Sequence, residues 1–391
     1  MNTGKYIFSQ LIDFLPKRIF DRIVKQYKGD KWTKSLSCWN QLMLMMFGQL
    51  SGCDSLRELA CVVSAHQNKC YHLGFGNSAF SRSTLEYANA KRDYKMFEDF
   101  AYYMIEVAQN KRIDREFDLK GKFYAFDSTT IDLCLSLYEW AFFRRTKSGI
   151  KMHTLFDVVT QIPIYIHITE AKMHDMNAMD QIPYEPYAFY IFDKGYYDLA
   201  RLYTISTIGS YFVIRQKSHL NYKVVDGEEI LDGKDNVLLD QTIKLMGYQT
   251  KRKYPADLRR IVYYAPELKR TFTFLTNNFE LKAKDIALLY KERWQVELFF
   301  KWIKQHLRVK SFWGNTENAV RIQLYSAIIT YCLIAIVEHD CHLERSTFNV
   351  LRVLSHSLLD KASIRELFQN SERLDAQYED SFEQLEFDFV Y

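Results

Sequence analysis

Two short apolar runs, each ending on an aspartate, constrain this chain more than any other feature. Lys122 to Phe126 leads into Asp127, and Ala188 to Phe192 leads into Asp193. Runs this short and this rich in aromatic residues read as strands. A carboxylate directly after a strand emerges at the strand's C-terminal edge, where open α/β sheets bind their ligands. If the two strands are neighbours, the carboxylates can share a divalent ion. Taken singly, each aspartate reads more readily as a turn former or a helix cap.

The surrounding pattern is that of an α/β sandwich. Lys151 to Thr160 and Pro163 to Thr169 read as strands joined by a turn at Gln161-Ile162-Pro163, and a helical segment from Asp198 to Ile208 precedes a strand at Tyr211 to Arg215. Three strands, a crossover and then strand-helix-strand follow the ribonuclease H pattern. Further strands are expected at Tyr222 to Val225, Arg260 to Tyr264 and Arg270 to Leu275, with turns at Asp226-Gly227 and Pro266-Glu267. A long helix should begin near Lys282, and more helices should cover Asn318 to about His342 and Phe348 to about Asn370.

Residues 1 to about 112 carry helical periodicity, as in Leu11, Phe14, Leu15, Ile19, Phe20 and Ile23 and again from Leu42 to Leu50. Ser55 with Glu58 and Ser83 with Glu86 have capping-box spacing. The polar helix from Ser83 to Arg92 suits either a helix-turn-helix-like DNA reader or a plain helical bundle.

Charge distribution points to a polyanionic partner more than the net charge of +4 does. Lys244 to Lys310 holds 16 basic and 6 acidic residues, while Leu374 to Tyr391 holds 6 acidic and no basic ones. The aromatic share of 16% suits buried cores and surfaces that stack on bases. The 7 cysteines form no C-x-x-C pair and complete no zinc-type cluster, which fits a reducing cytoplasm. The longest apolar segment, about Ser326 to Val337, is too short to cross a bilayer and reads as a buried helix, so no membrane association is expected.

The helix after Lys282 bears the sharpest signal. Tyr290, Arg293, Glu297 and Lys304 stand at intervals of three, four and seven. At about 100° per residue they fall within an arc of roughly 60°. One carboxylate is thus flanked by two cations and a phenol, although Glu297 with Lys301 would also make an ordinary surface pair.

Tyr290-x2-Arg293-x3-Glu297-x6-Lys304 resembles the Y-R-E-K signature of insertion-sequence transposases of family four at every spacing. Phe192-Asp193-Lys194-Gly195-Tyr196-Tyr197-Asp198 looks like the family's second-aspartate motif, and Ala125-Phe126-Asp127-Ser128-Thr129 like its first. The stretches Lys151 to Asp157 and Thr169 to Asp175 also resemble family segments, so the likeness covers about Lys120 to Trp313.

The resemblance implies a ribonuclease H-like catalytic core at 120–215 and 280–313. A β-rich insertion at 216–279 would interrupt it, with a helical DNA-binding region at 1–112, C-terminal helices at 314–373 and an acidic flexible tail at 374–391. Asp127, Asp193 and Glu297 would hold Mg²⁺, with Mn²⁺ as a substitute, because hard carboxylate oxygens suit such ions. Asp132, Asp157, Glu170, Asp175 and Asp198 are rivals without the motif match. Tyr290, Arg293 and Lys304 would contact DNA, as would Arg144, Arg145, Lys147 and Arg92.

Implied partners are terminal inverted repeats, target DNA and a second copy of the chain, with a DNA hairpin at the excised end. The expected setting is the bacterial cytoplasm, at the nucleoid. No Trp lies between Trp140 and Trp294, so stacking on a flipped base would fall to Tyr222, Tyr248, Tyr254, Tyr263 or Phe272. Gln384 to Phe389 resembles a replication sliding-clamp docking motif. Rival readings are a nuclease without strand transfer and a captured protein that only binds DNA.

Overall fold

The periodicity of the N-terminal region becomes six helices: α1 Ile7–Asp13, α2 Lys17–Gln26, α3 Cys38–Leu50, α4 Leu56–Ala65, α5 Arg82–Lys91 and α6 Lys95–Lys111. The computed structural model describes residues 4–76, 81–113, 117, 119–133, 138–144, 147–229, 234–306 and 312–369. Arg145 and the tail segment Gln384 to Phe389 lie outside the described residues. Ser55 caps α4 by accepting from the Glu58 N–H, as its spacing predicts. The cap of α5 is Ser81 rather than Ser83, its hydroxyl accepting from the Thr84 N–H.

Ten strands and five helices follow. The strands are β1 Lys122–Leu133, β2 Phe142–Arg144, β3 Lys147–Asp157, β4 Ile162–Glu170, β5 Ala188–Phe192, β6 Tyr211–Arg215, β7 Tyr222–Glu229, β8 Val237–Leu245, β9 Leu258–Ala265 and β10 Arg270–Thr276. The helices are α7 Asp175–Ala178, α8 Leu199–Thr207, α9 Tyr248–Lys253, α10 Ala283–Glu292 and α11 Trp294–His306. The chain then forms α12 Glu317–Asp340, α13 Thr347–Ser357 and α14 Ile364–Gln369.

These elements divide into two compact units. One takes Met1–Arg112, Cys134–Ala141 and Phe300–Tyr391, the other Ile113–Leu133 and Phe142–Phe299. In the first unit α12 is the central helix, buried along almost all of its apolar stretch. A helix that is apolar all round must be covered on every side. It packs on α3, α5, α6 and α13. The Gln49 amide donates to the Gln323 carbonyl at 2.9 Å, and the buried Arg112 guanidinium pairs with Glu338. The segments expected as separate N- and C-terminal regions therefore share one core.

In the second unit all strands belong to one mixed sheet, ordered β2-β3-β1-β5-β6-β10-β9-β8-β7, with β4 on the outer edge of β3. β1 runs antiparallel to β3 and parallel to β5, and β5 parallel to β6. The order β4-β3-β1-β5-β6 with those senses is the ribonuclease H arrangement expected from the sequence. The 216–279 segment carries β7 to β10. β10 pairs with β6, so the insertion extends the same sheet. Its second strand, β8, carries no clean alternation, since Val237-Leu238-Leu239 gives way to the polar Asp240-Gln241-Thr242, and much of it is half-exposed. Asp226-Gly227 is not a turn but a bulged stretch of β7, where Gly227 adopts φ +116 and a Cβ would lie 2.4 Å from the Asp240 carbonyl.

Candidate active site

The last rung between the parallel strands β1 and β5 joins Phe126 to Phe192. Asp127 and Asp193 are the next residues on strands about 4.8 Å apart. β1 does not end at Asp127; it continues to Leu133 against β3. The carboxylate stands where β1 parts from β5, which leaves its side chain an open edge. Asp193 leaves β5 and caps a short turn, its Oδ2 accepting from the Gly195 N–H at 3.1 Å.

The third acidic residue arrives on α11. The long helix expected here breaks at Arg293, which ends α10 and starts α11. The break brings the Arg293 guanidinium between two carboxylates, with Nη1 3.0 Å from Asp127 Oδ2 and Nη2 2.5 Å from Glu297 Oε1. Tyr290, on the last turn of α10, donates its hydroxyl to Asp193 Oδ1 at 3.5 Å. Asp127, Asp193, Tyr290, Arg293 and Glu297 thus meet at one end of the sheet.

Burial pushes the Asp127 carboxyl up to about 6, against the pull of Arg293 and of the Ser128 N–H, while Glu297 and Asp193 add to the rise. Burial works against the Arg293 charge as well, but Tyr290, Glu297 and Asp127 more than offset it and its pKa goes up. The guanidinium is 8% exposed, and among the described residues its Nε finds no acceptor. Acceptor-only carboxylates crowded at one edge need a cation, and here the guanidinium supplies it. With Arg293 between them, no group of three or more candidate ligands among the described residues is close enough to hold a metal ion.

A second layer, which the sequence reading missed or ranked low, holds Asp127 in place. The Ser128 N–H donates to Asp127 Oδ1 at 2.8 Å, and the Ser128 hydroxyl donates to Asp175 Oδ1 at 2.8 Å. Tyr196 donates to the same hydroxyl at 2.8 Å, and the Lys151 ammonium lies 3.0 Å from Asp175. The link from Lys151 to Ser128 depends on strand register, which residue order does not reveal.

The other expected residues fare differently. Lys304 is half-buried two turns beyond Glu297 on α11. Arg144 and Lys147 fall in β2 and β3. Arg92 turns inward, donating to Gln41 Oε1 at 2.7 Å and to the Leu36 carbonyl, so its guanidinium braces a loop instead of facing solvent. Asp157 caps the turn after β3 and Asp198 caps α8. Glu170 pairs with Lys172, and Asp132 is exposed. Of the aromatic candidates, Tyr254 is buried against Ser206, Phe272 is covered by Arg215 and Arg270, and Tyr222 lies under Arg260. Tyr263 is half-buried and Tyr248 is 79% exposed.

Comparison with known proteins places the chain in a family. A family described as a transposase DDE domain matches residues 118–333, and one described only as a domain of unknown function matches residues 3–76. A relative from Sinorhizobium fredii, named provisionally as the transposase y4zB, is 36% identical over 268 residues, 68% of this chain and 73% of its own. A Geobacillus stearothermophilus relative, named provisionally as the transposase of insertion sequence element IS5377, is 27% identical over 72% of this chain and 76% of its own. Among solved structures, piggyBac transposase in a synaptic complex with hairpin DNA aligns with a TM-score of 0.45 at 12% identity, covering 96% of this chain and 84% of that one. The family match spans more than half of the chain and includes all the acidic residues of the site. The chain belongs to the DDE transposases, the enzymes of insertion sequences that cleave DNA and transfer its strands.

Proposed function

We propose that Asp127, Asp193 and Glu297 are the catalytic acidic residues and together hold Mg²⁺, or Mn²⁺ in its place, during cleavage and joining of the element's ends. The family typically uses divalent metal. The donor set suits it: three carboxylates offer hard oxygens, and a buried cation already bridges two of them. When bound, the metal supplies an activated water and neutralises charge on the leaving oxygen.

The chain's own groups do the positioning. Ser128, held by Asp175 and Tyr196, fixes one oxygen of Asp127. Tyr290, whose burial raises its pKa, stays protonated at neutral pH and orients Asp193. The planar fork of Arg293 matches phosphate as well as carboxylate, so it exchanges its carboxylates for the DNA backbone when the site is loaded. Terminal inverted repeats and target DNA are the substrates, and a homodimer pairs the ends. The observation that carries this reading is the Phe126–Phe192 rung, which sets Asp127 and Asp193 side by side beside Arg293 and Glu297.

The test is cleavage of duplexes carrying the element's ends. Asp127→Asn, Asp193→Asn and Glu297→Gln should each lower cleavage by at least about a thousandfold, or roughly 4 kcal/mol of barrier, with DNA affinity nearly unchanged. Cleavage within tenfold of wild type in any of the three would remove that residue from the site.

A further inference from the structure

We propose that the outer face of α2 and the loop after it, residues 18–34, form a duplex-DNA contact surface in the segment matched only by a domain of unknown function. Arg18, Arg22, Lys25, Lys28, Lys31 and Lys34 are all exposed, and among the described residues no carboxylate pairs with any of them. Arg18, Arg22 and Lys25 recur at i, i+4 and i+7, on one face of α2. The nearby acids are engaged elsewhere. Asp21 takes Lys17 at 2.6 Å; Asp30 accepts from the Cys38 N–H at 2.7 Å and faces Arg92 at 3.7 Å. The stripe is therefore left positive.

At its end stands Trp32, 87% exposed, with φ +67 and the Lys31 ammonium 5.2 Å from its ring. A bulky side chain in the left-handed region on an open surface has both backbone strain and water against it. The loop keeps this shape because Arg92 grips it from behind, donating to Thr33 Oγ1 at 3.3 Å and to the Leu36 carbonyl. A row of unneutralised cations ending in a braced aromatic matches a polymer with regular anions and stackable bases. A second copy of the chain would have to bring carboxylates to face six cations. The identification of the polyanion as DNA rests on the transposase reading, but not on the catalytic carboxylates.

The test titrates the full-length protein with fluorescein-labelled duplex DNA over a range of KCl concentrations. The variant carrying Lys25→Ala, Lys28→Ala and Lys31→Ala should lower the salt slope of log K by about 2 to 3, near 0.9 for each phosphate no longer neutralised. Trp32→Asn, chosen because Asn tolerates positive φ, should weaken binding about tenfold with the slope unchanged. All four positions are exposed, so melting temperatures should stay at the wild-type value. A wild-type slope in the triple variant, or wild-type affinity in Trp32→Asn, overturns the proposal. So does a change in self-association with DNA affinity intact. Asp127→Asn separates the two readings, because it probes the carboxylates while leaving this surface whole. A wild-type protein that fails to bind duplex at low salt defeats the DNA reading altogether.

Discussion

His153 lies on β3 opposite Ser128, fully buried, with Nε2 3.0 Å from Thr169 Oγ1 and Nδ1 without a partner among the described residues. Burial pulls its pKa down to about 4 from 6.5, while Asp175 works against the fall and His167 and Lys151 add to it. Between those pH values the unfolded chain binds a proton that the folded chain refuses, so the contribution is full above pH 6.5 and is lost as pH falls to 4. It amounts to about 3 kcal/mol at 1.36 per unit. Asp127 is raised over much the same range and acts with the opposite sign, so a comparison with His153→Gln at each pH is needed to isolate the histidine. Thermal melts should show wild type losing more stability than His153→Gln between pH 7 and 4.5. Equal losses would mean that the ring is protonated in the fold. Residues of this kind are legible as types in the sequence but not as neighbours. Asp127 and Asp193 announced themselves by following apolar runs, whereas Ser128, Lys151, Asp175 and Tyr196 converge only after β1 and β3 pair in register.

The junction of α10 and α11 is where the expected single helix and the observed pair differ most. A straight helix puts Tyr290, Arg293 and Glu297 on one stripe; the break at Arg293 instead lets Tyr290 reach Asp193 while Arg293 spans Asp127 and Glu297. The spacing was readable because all three residues are close in sequence. The break was not, because it is the Arg293–Asp127 contact, 166 residues apart, that rewards it. Arg293→Gln should leave Asp127 buried without its cation, at a cost of about 3–5 kcal/mol. Millimolar Mg²⁺ should return part of the lost melting temperature, since a ligand that binds only the folded state stabilises it. A variant that melts like wild type without metal would show that the pair contributes nothing to the fold.

At the level of the whole chain, α12 draws most of its cover from segments more than 200 residues away, as in Tyr94 stacked on Tyr325 and Lys111 paired with Asp340 at 2.7 Å. A fragment starting at Lys120 should therefore lose solubility and cooperative melting, and not merely its DNA-binding region; a soluble fragment with a sharp transition would refute the shared core. Residue order alone carried the two aspartates that follow apolar runs, the spacing of Tyr290, Arg293 and Glu297, the helical start and the ribonuclease H strand pattern, because each is written in local periodicity and short-range spacing. Tertiary structure decided which cation lies between the carboxylates, that the insertion continues the sheet through β10 and β6, and that Arg92 faces inward. Each of these depends on contacts between segments distant along the chain, and no local pattern encodes which distant groups will meet.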